Sequence, residues 1–546
     1  MPSINNVRRN VTCPFALSQV TGKLGQVPRC RWLCVTLIGI ASFLGSAAVG
    51  FRAGIPEPLT HDEFSYLLAA DTFSHGRLTN PTHPMWIHFE SFHIIHQPTY
   101  MSKYPPAQGL ILAAGQVMGG HPIWGVWMSM GLMCAAICWM LYAWVPPRWA
   151  VLGGFLAVTH PLLGITGYWA QSYWGGAVAA SGGALVMGAL RRIIKRSCVF
   201  DALLMGVGLS ILANSRPYEG LLVSVPMGVM LFVWILSKRG PMLWISVTRI
   251  VMPLLIVLAL TGAAMALYNL RTTGNGFRMP YQVYEETYGI APLFLWQTPR
   301  PEPTYHHQVL RDFQRNIGFF LYKRQQSMPG FISEKINVFL LMLVFYSGFV
   351  FTVPLVGTLI IMIPWMLRNR WARFALLTNS SLIAGLLVAT YALTHYSAPI
   401  YGLNYMFVLQ ALRLWRWRNK LTGRLVSWFV PLLGIMVFLW SLWGPWKSVQ
   451  LSDWHIHRAR ILAQLRGKEG LHLIIVTYSP QHLVRDEWVY NEADIDNAKV
   501  VWARDMDVSH NCKLIEYFKD RHIWSLEVDR DQSIPKLQPY AKNLCQ

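Results

Sequence analysis

Asp62 and Glu63 stand side by side in LTHDEFSYLLAAD, residues 59–71, just beyond the first long apolar run. Two carboxylates in such a place can cap a helix, relay a proton, hold a metal or serve as a catalytic base. Thr60 and Glu63 fit the S/T-x-x-E capping box, in which the hydroxyl takes an orphan backbone N–H and the Glu reaches back. The box accounts for Glu63 and leaves Asp62 unexplained. At the second helical position Asp62 favours the helix dipole, which keeps a carboxylate ionised, as a general base must be. It shares a helix face with Tyr66, one turn on. Ionisable groups at the membrane are costly and tend to be functional. Asp62 and Glu63 are therefore the catalytic candidates, with capping as the bland alternative.

Cations follow at two further helix starts. In ANSRPYEGLL, residues 213–222, Ser215 is placed to cap a helix whose first turn holds Pro217, a favoured site for proline. Arg216 then lies at a helix N-terminus, where a cation opposes the dipole unless an anion shares the spot. Glu219, one turn along, is placed to orient Arg216; the alternative is an arginine snorkelling to headgroup phosphates. In SKYPPAQG, Lys103 precedes a helix start at Pro105–Pro106. THYSAPIYGLNY, residues 394–405, breaks two apolar runs with His395 and Tyr396, which either line the same site or satisfy local backbone. HPMWIHFESFHIIHQP holds His83, His88, Glu90, His93 and His96. If that segment is helical, His93 and His96 share a face and a divalent metal is conceivable; ordinary loop histidines are the other reading. No cofactor is otherwise called for. QSYWGGAVAASGGAL, residues 171–185, has the small-residue spacing of closely packed helices.

The elements that must position these residues are membrane helices. The 546-residue chain is 53% hydrophobic and 13% charged, against about 25% charged in soluble proteins. About eleven spans are expected at roughly 20 residues each: 31–51, 122–144, 149–168, 173–190, 199–214, 218–236, 247–268, 338–367, 374–393, 398–413 and 425–444. The run 105–119 is too short to span comfortably and reads as an interfacial helix. The net charge of +21 does not imply nucleic acid, because the arginines cluster in short connections: RRIIKR at 191–196, RNRWAR at 368–373, RLWRWRNKLTGR at 413–424. That is the positive-inside pattern. With the N-terminal segment 1–30 inside and uncleaved, all three clusters fall in the cytoplasm. Residues 52–121, 269–337 and the tail 447–546 fall outside. The tail is polar and free of spans. It alternates strand-like runs at 471–478, 498–506 and 522–529 with a helix-like run at 510–520, the pattern of a small α/β domain. Cys512 and Cys545 lie in it and can pair if it is extracytoplasmic. The expected fold is an all-α polytopic bundle, 31–446, followed by that domain.

In this order the motifs resemble the GT-C superfamily of membrane glycosyltransferases. Within it, the chain resembles the protein O-mannosyltransferase and lipid A aminoarabinose transferase branch. The resemblance covers roughly residues 30–445 and rests on the DE pair, Lys103 with its Pro-Pro helix start, the cation-Pro motif of Arg216–Pro217 and the late HYSAP break. It implies an inverting hexosyl- or pentosyltransferase of the plasma membrane. Such an enzyme takes a sugar from a polyprenyl-phosphate carrier and passes it to a protein, lipid or cell-envelope glycan outside. Asp62 matches the family's catalytic acid, and Lys103 and Arg216 match its phosphate-binding lysines. Tyr66, Glu219, His395 and Tyr396 would complete the substrate site. Two departures stand out: Tyr104 interrupts the Lys-Pro-Pro pattern, and Gln171 stands where the family often has an acid. The competing class is a secondary transporter or flippase for a lipid-linked or anionic substrate, which also needs intramembrane charge and broken helices. The absence of an evident internal repeat and a site at the membrane edge favour the transferase.

Overall fold

The computed structural model describes residues 30–237, 240–347, 359–364, 366–419, 421–443, 453–529 and 535–540, with Gly357. Among them, eight helices are long and apolar enough to cross a membrane: α1 (Arg31–Ala53), α4 (Ile123–Trp144), α6 (Gly176–Arg196), α8 (Pro217–Leu236), Leu243–Thr273, Met328–Tyr346, Arg370–Val388 and Thr422–Trp440. Two shorter apolar helices, α5 (Pro147–Val158) and α7 (Val199–Ala213), and the helix Tyr401–Arg418 occupy three more of the expected positions. The protein is an all-α multi-pass membrane bundle with a small α/β domain at its C-terminus.

The small residues of α6 explain its central place. A Cβ on Gly183 would lie 1.8 Å from the carbonyl oxygen of Pro399, and one on Gly182 would lie 3.0 Å from that of Gly208. One on Gly188 would meet the Trp139 ring at 2.4 Å. The helix therefore touches α7 and the 3-10 turn Thr394–Ile400 backbone to backbone, the close approach that small residues permit.

Two expected spans differ in the structure. The run 149–168 is helical only to Val158. His160 Nδ1 then accepts the amides of Leu162 and Leu163, at 3.3 and 3.0 Å, and starts an irregular connection through Gly164 and Gly167. The helix expected from 338 begins ten residues earlier, at Met328. It takes in Glu334 and Lys335, charges that argue against a span in the sequence. Lys335 is buried and donates to the carbonyls of Leu386 and Ala389 at 3.2 and 2.7 Å. It thus serves the orphan acceptors at the C-terminal end of the neighbouring helix. The middle of that expected span, 348–356 with 358, lies outside the described residues, and 359–364 are again helical.

One end of the bundle carries the polar structure. After α1 come α2 (His61–Ser74), the strands β1 (Asn80–Pro81), β2 (Ile94–Ile95) and β3 (Thr99–Ser102), and α3 (Ala107–Gly119), the expected interfacial helix. β3 is the centre of an antiparallel sheet in the order β1-β3-β2. Gly109 lets α3 lie against Ala69 and Phe73 of α2, and Gly115 lets it cross α4 at Gly125.

The tail forms its α/β domain where expected. β4 (Leu471–Tyr478) is central, with β5 (Val500–Arg504) and β6 (Arg521–Val528) parallel on either side and β7 (Leu537–Pro539) antiparallel at the edge of β6. The helix Val508–Tyr517 makes the β5–β6 crossover, as parallel strands require. The run LIIV in β4 is buried on both faces, the signature of a parallel interior strand. Phe64, Leu68 and Phe89 of the first connection belong to the same apolar core as β4 and β5. Cys512 is disulfide-bonded; Cys545, its expected partner, lies outside the described residues.

Candidate active site

The capping box at the start of α2 forms as the sequence predicts. Glu63 Oε2 accepts the backbone amides of Leu59 and Thr60 at 2.8 and 2.9 Å, and Oε1 accepts that of Tyr173 at 2.9 Å. Glu63 is 2% exposed, and both its oxygens are occupied by the protein. It locks the entry to α2 onto the irregular segment before α6. Gln171, in the same segment, donates to the carbonyls of Ser46 and Ile165 at 3.0 and 3.2 Å. It is a tie to α1.

Asp62 turns the other way. Its Oδ1 accepts the phenol of Tyr104, and Tyr104 stacks on Tyr66 with ring centroids 4.7 Å apart. Tyr66 is where helical spacing puts it, one turn along on the same face. Tyr104 is the residue that sequence reasoning passed over. It reads there as an interruption of Lys-Pro-Pro, yet it is the direct partner of the candidate base. Its signal was a phenol beside a cation at the start of a helix. Burial raises the pKa of Asp62; the Tyr104 hydrogen bond, Lys103 and Arg216 oppose that rise. Side-chain partners, and not the helix dipole alone, thus work against the rise that burial imposes on Asp62.

Lys103 is 5% exposed and paired with Glu285 Oε1 at 3.3 Å. Its ammonium also lies 4.2 Å from the Tyr284 ring centroid and 4.8 Å from that of Tyr281. Glu285, Tyr284 and Tyr281 come from the helix Pro280–Tyr288 in the second long connection. Burial lowers the Lys103 pKa, while Glu285 and then Asp62 raise it. Lys103 thus has a carboxylate within the protein.

Arg216 has none within ion-pair distance among the described residues. It is itself the N-cap of α8, followed by Pro217 at the first helical position. Ser215 does not cap α8; its hydroxyl donates back to the Ile211 carbonyl of α7 at 2.6 Å. The guanidinium rests 4.6 Å from the ring centroid of Tyr396. His395 packs between Trp174 and Tyr396, with centroids at 4.5 and 4.9 Å. Glu219 is buried in the first turn of α8, close enough for its charge to act on Arg216. Asp62, Tyr66, Lys103, Arg216, Glu219, His395 and Tyr396, from four separate stretches of sequence, thus gather at one end of the bundle.

The loop histidines do not make a metal face. Residues 94–95 are a strand and His93 has a left-handed backbone, φ 63°, so His93 and His96 do not share a helix face. His93 lies beside Tyr104 and Tyr284, at 5.7 and 5.8 Å. His96 lies 5.3 Å from Tyr100. His83 and His88 reach Asp496 and the Arg504 carbonyl of the tail, at 3.1 and 3.0 Å. Glu90 accepts the phenol of Tyr288 at 2.7 Å and pairs with His306 at 2.9 Å. Among the described residues no group of three His, Cys, Asp or Glu side chains is placed to hold a metal ion.

No protein-family model and no curated protein sequence matches the chain. Solved structures do. ArnT from Cupriavidus metallidurans in the apo state superposes with a TM-score of 0.52 at 13% identity, over 92% of this chain and 93% of that one. The same enzyme bound to undecaprenyl phosphate gives 0.51 at 13% identity, over 93% of each chain. The fold is of the GT-C type. The match covers more of this chain than the bundle alone, so it takes in part of the α/β tail. The Archaeoglobus fulgidus oligosaccharyltransferase aligns at a TM-score of 0.44 and 10% identity, over 92% of this chain and 69% of that one.

Proposed function

We propose that this chain is an inverting glycosyltransferase that moves a sugar from a polyprenyl-phosphate carrier to an acceptor hydroxyl at the outer face of the plasma membrane. One observation carries the reading. A carboxylate at one helix N-terminus, Asp62, shares a tyrosine-lined site with Arg216, a cation at another helix N-terminus that has no carboxylate in ion-pair distance among the described residues. Asp62 accepts the proton of the acceptor hydroxyl as its oxygen attacks C1 of the sugar. The bond from C1 to the phosphate oxygen breaks on the opposite side, which inverts C1. Charge grows on the departing polyprenyl phosphate, and a fixed cation lowers the barrier most where that charge develops. Arg216 is that cation, and guanidinium geometry suits phosphate. Undecaprenyl phosphate, bound in the ArnT structure of like fold, is the kind of leaving group that fits.

Lys103 steadies Asp62 and the wall formed by Tyr281 and Tyr284. Glu63 acts by positioning α2. Tyr66, Glu219, His395 and Tyr396 shape the sugar-phosphate site. In this arrangement the segment 1–30 is cytoplasmic, the bundle spans 31–446, and the tail 447–546 is extracytoplasmic. The acceptor is a protein, lipid or envelope glycan. The test is transfer from a panel of radiolabelled polyprenyl-phosphate sugars in membranes, wild type beside Asp62→Asn. Transfer by wild type that vanishes in the variant is expected. Undiminished transfer by the variant removes Asp62 as base, and no transfer by either from any donor removes the reading.

A further inference from the structure

The other end of the bundle is strongly basic among the described residues. Among the described residues, the far-end segments 30–31, 145–148, 191–201, 240–249, 367–373, 413–419 and 421–424 contain the arginine clusters. Of the chain's 26 acidic residues, they contain Asp201 alone. Asp201 is fully buried and taken by Arg196, at 2.7 and 2.9 Å. Among the described residues, these segments hold no other carboxylate.

A cavity of about 790 Å³ lies in this region. Its walls include Arg148 at the start of α5, Arg413 and Arg416 at the end of the helix Tyr401–Arg418, and Trp149, Trp417 and Trp428. Both helix ends lie opposite the candidate site. α4 runs from its crossing with α3 to Trp144, just before Arg148, and the helix Tyr401–Arg418 starts at the turn that carries Tyr396. No carboxylate lines the cavity. Among the described residues none of the three arginines has an ion pair; Arg413 donates only a long hydrogen bond, 3.4 Å, to Gln410. Trp417 and Trp428 are 80% and 72% exposed. Tryptophan at that exposure is characteristic of the membrane–water boundary.

We propose that this cavity binds the headgroup of an anionic phospholipid from the leaflet that meets the far end of the bundle. Three guanidinium groups suit a phosphodiester, which they can hold in forked geometry. The tryptophans flank the glycerol region with amphipathic rings. Basic pockets between membrane helices recognise acidic headgroups on the same physical grounds. The site is remote from Asp62 and independent of the transfer reaction.

The experiment uses the full-length protein in nanodiscs made with equal parts phosphatidylglycerol and phosphatidylcholine of identical acyl chains. Lipids retained on release into the gas phase are counted by native mass spectrometry. Wild type should retain phosphatidylglycerol over phosphatidylcholine by about tenfold or more, given the strength of each basic contact with an acidic surface. R148Q/R413Q/R416Q should bring that ratio close to one, and R413Q alone should lower it about threefold. The single variant keeps the test decisive if the triple variant does not fold. No preference in wild type overturns the proposal. So does a preference that survives in the variants, because the charge would then be general rather than seated in this cavity. Displacement of the retained lipid by soluble glycerol phosphate at a comparable concentration overturns the lipid assignment in favour of free phosphate.

Discussion

Tyr490 of the tail stacks face to face on Phe64 of α2, with ring centroids 4.1 Å apart and planes within 5°. Its hydroxyl is 2.9 Å from His61 Nδ1. Asp71, near the other end of α2, accepts the Ala493 amide at 2.7 Å, and Arg458 lies over the other aromatic contact, 4.9 Å from the Phe64 ring. The tail thus grips the back of the helix whose front presents Asp62. Tyr490→Phe keeps the stack and loses one hydrogen bond, so it should cost about 1 kcal/mol. Tyr490→Ala removes a buried aromatic and should cost about 3–5 kcal/mol. Thermal unfolding of the purified protein measures both. Under the proposed function, turnover of the alanine variant should fall more than donor binding does, because it is Asp62 that loses its support.

Asp62→Asn is expected to leave expression and melting temperature near wild type and to abolish transfer. The asparagine still accepts the Tyr104 hydrogen bond, so a loss of activity reports the missing base rather than a broken site. Glu63→Gln should behave oppositely. It weakens three backbone contacts and should lower stability by about 1–3 kcal/mol, with residual transfer in the fraction that folds.

Tyr104→Phe tests how Asp62 is kept ionised. The Tyr104 hydrogen bond lowers a pKa that burial has raised, so its loss moves the Asp62 pKa further up. A hydrogen bond to a charged group is worth about 1.5–3 kcal/mol, which corresponds to about one to two pH units. A base must be unprotonated, so the acid limb of the rate profile should move to higher pH by about that amount. An unchanged limb would mean that Tyr104 does not tune the group responsible.

Arg216→Ala should weaken binding of a polyprenyl phosphate by about tenfold or more, the scale of a charge-assisted pair. Arg216→Lys should restore part of the loss. Binding is best read with the lipid phosphate alone, without a sugar, so that chemistry does not enter. Equal affinity in all three proteins would remove Arg216 from the phosphate site.

The junction between the tail and the two long connections should weaken in acid. Burial lowers the pKa of His61, His96 and His307, each to about 3. Once exposed, these rings return to about 6.5. As pH falls from about 6.5 toward 3, the open form takes up protons that the docked form does not, so the docked form loses stability. Hydrogen exchange of the α2 and β4 amides at pH 7.5 and pH 5.5, corrected for intrinsic rate, should show faster opening at the lower pH.

Much of this arrangement is legible in the sequence, because the membrane imposes length and polarity on each helix. The capping box, the placement of Asp62 beside Tyr66, the break at His395–Tyr396, the packing of α6 and the alternation of strands and helix in the tail all follow from local rules. What escapes is whatever depends on a partner distant in the chain. Lys103 looks free in SKYPP, but Glu285, 182 residues away, holds it. Lys335 looks like a barrier to a span until the carbonyls of Leu386 and Ala389 account for it. Tyr104 looks like an insertion because sequence spacing does not reveal that α2 brings Asp62 to it. His93 and His96 suggest a shared face only on the assumption of a helix, and pairing of β2 with β3 decides otherwise.

The contact between Gly183 and Pro399 sets a boundary on how this protein can diversify. With no side chain between α6 and the turn that bears His395 and Tyr396, position 183 has no room for even a methyl group. Gly228 and Gly262 lie in spans too, yet a Cβ there meets nothing within 4 Å. A saturation library selected for properly folded protein should therefore leave residue 183 blank and fill 228 and 262 freely. The rings around Arg216 can vary, while the Gly183–Pro399 joint beneath them stays fixed.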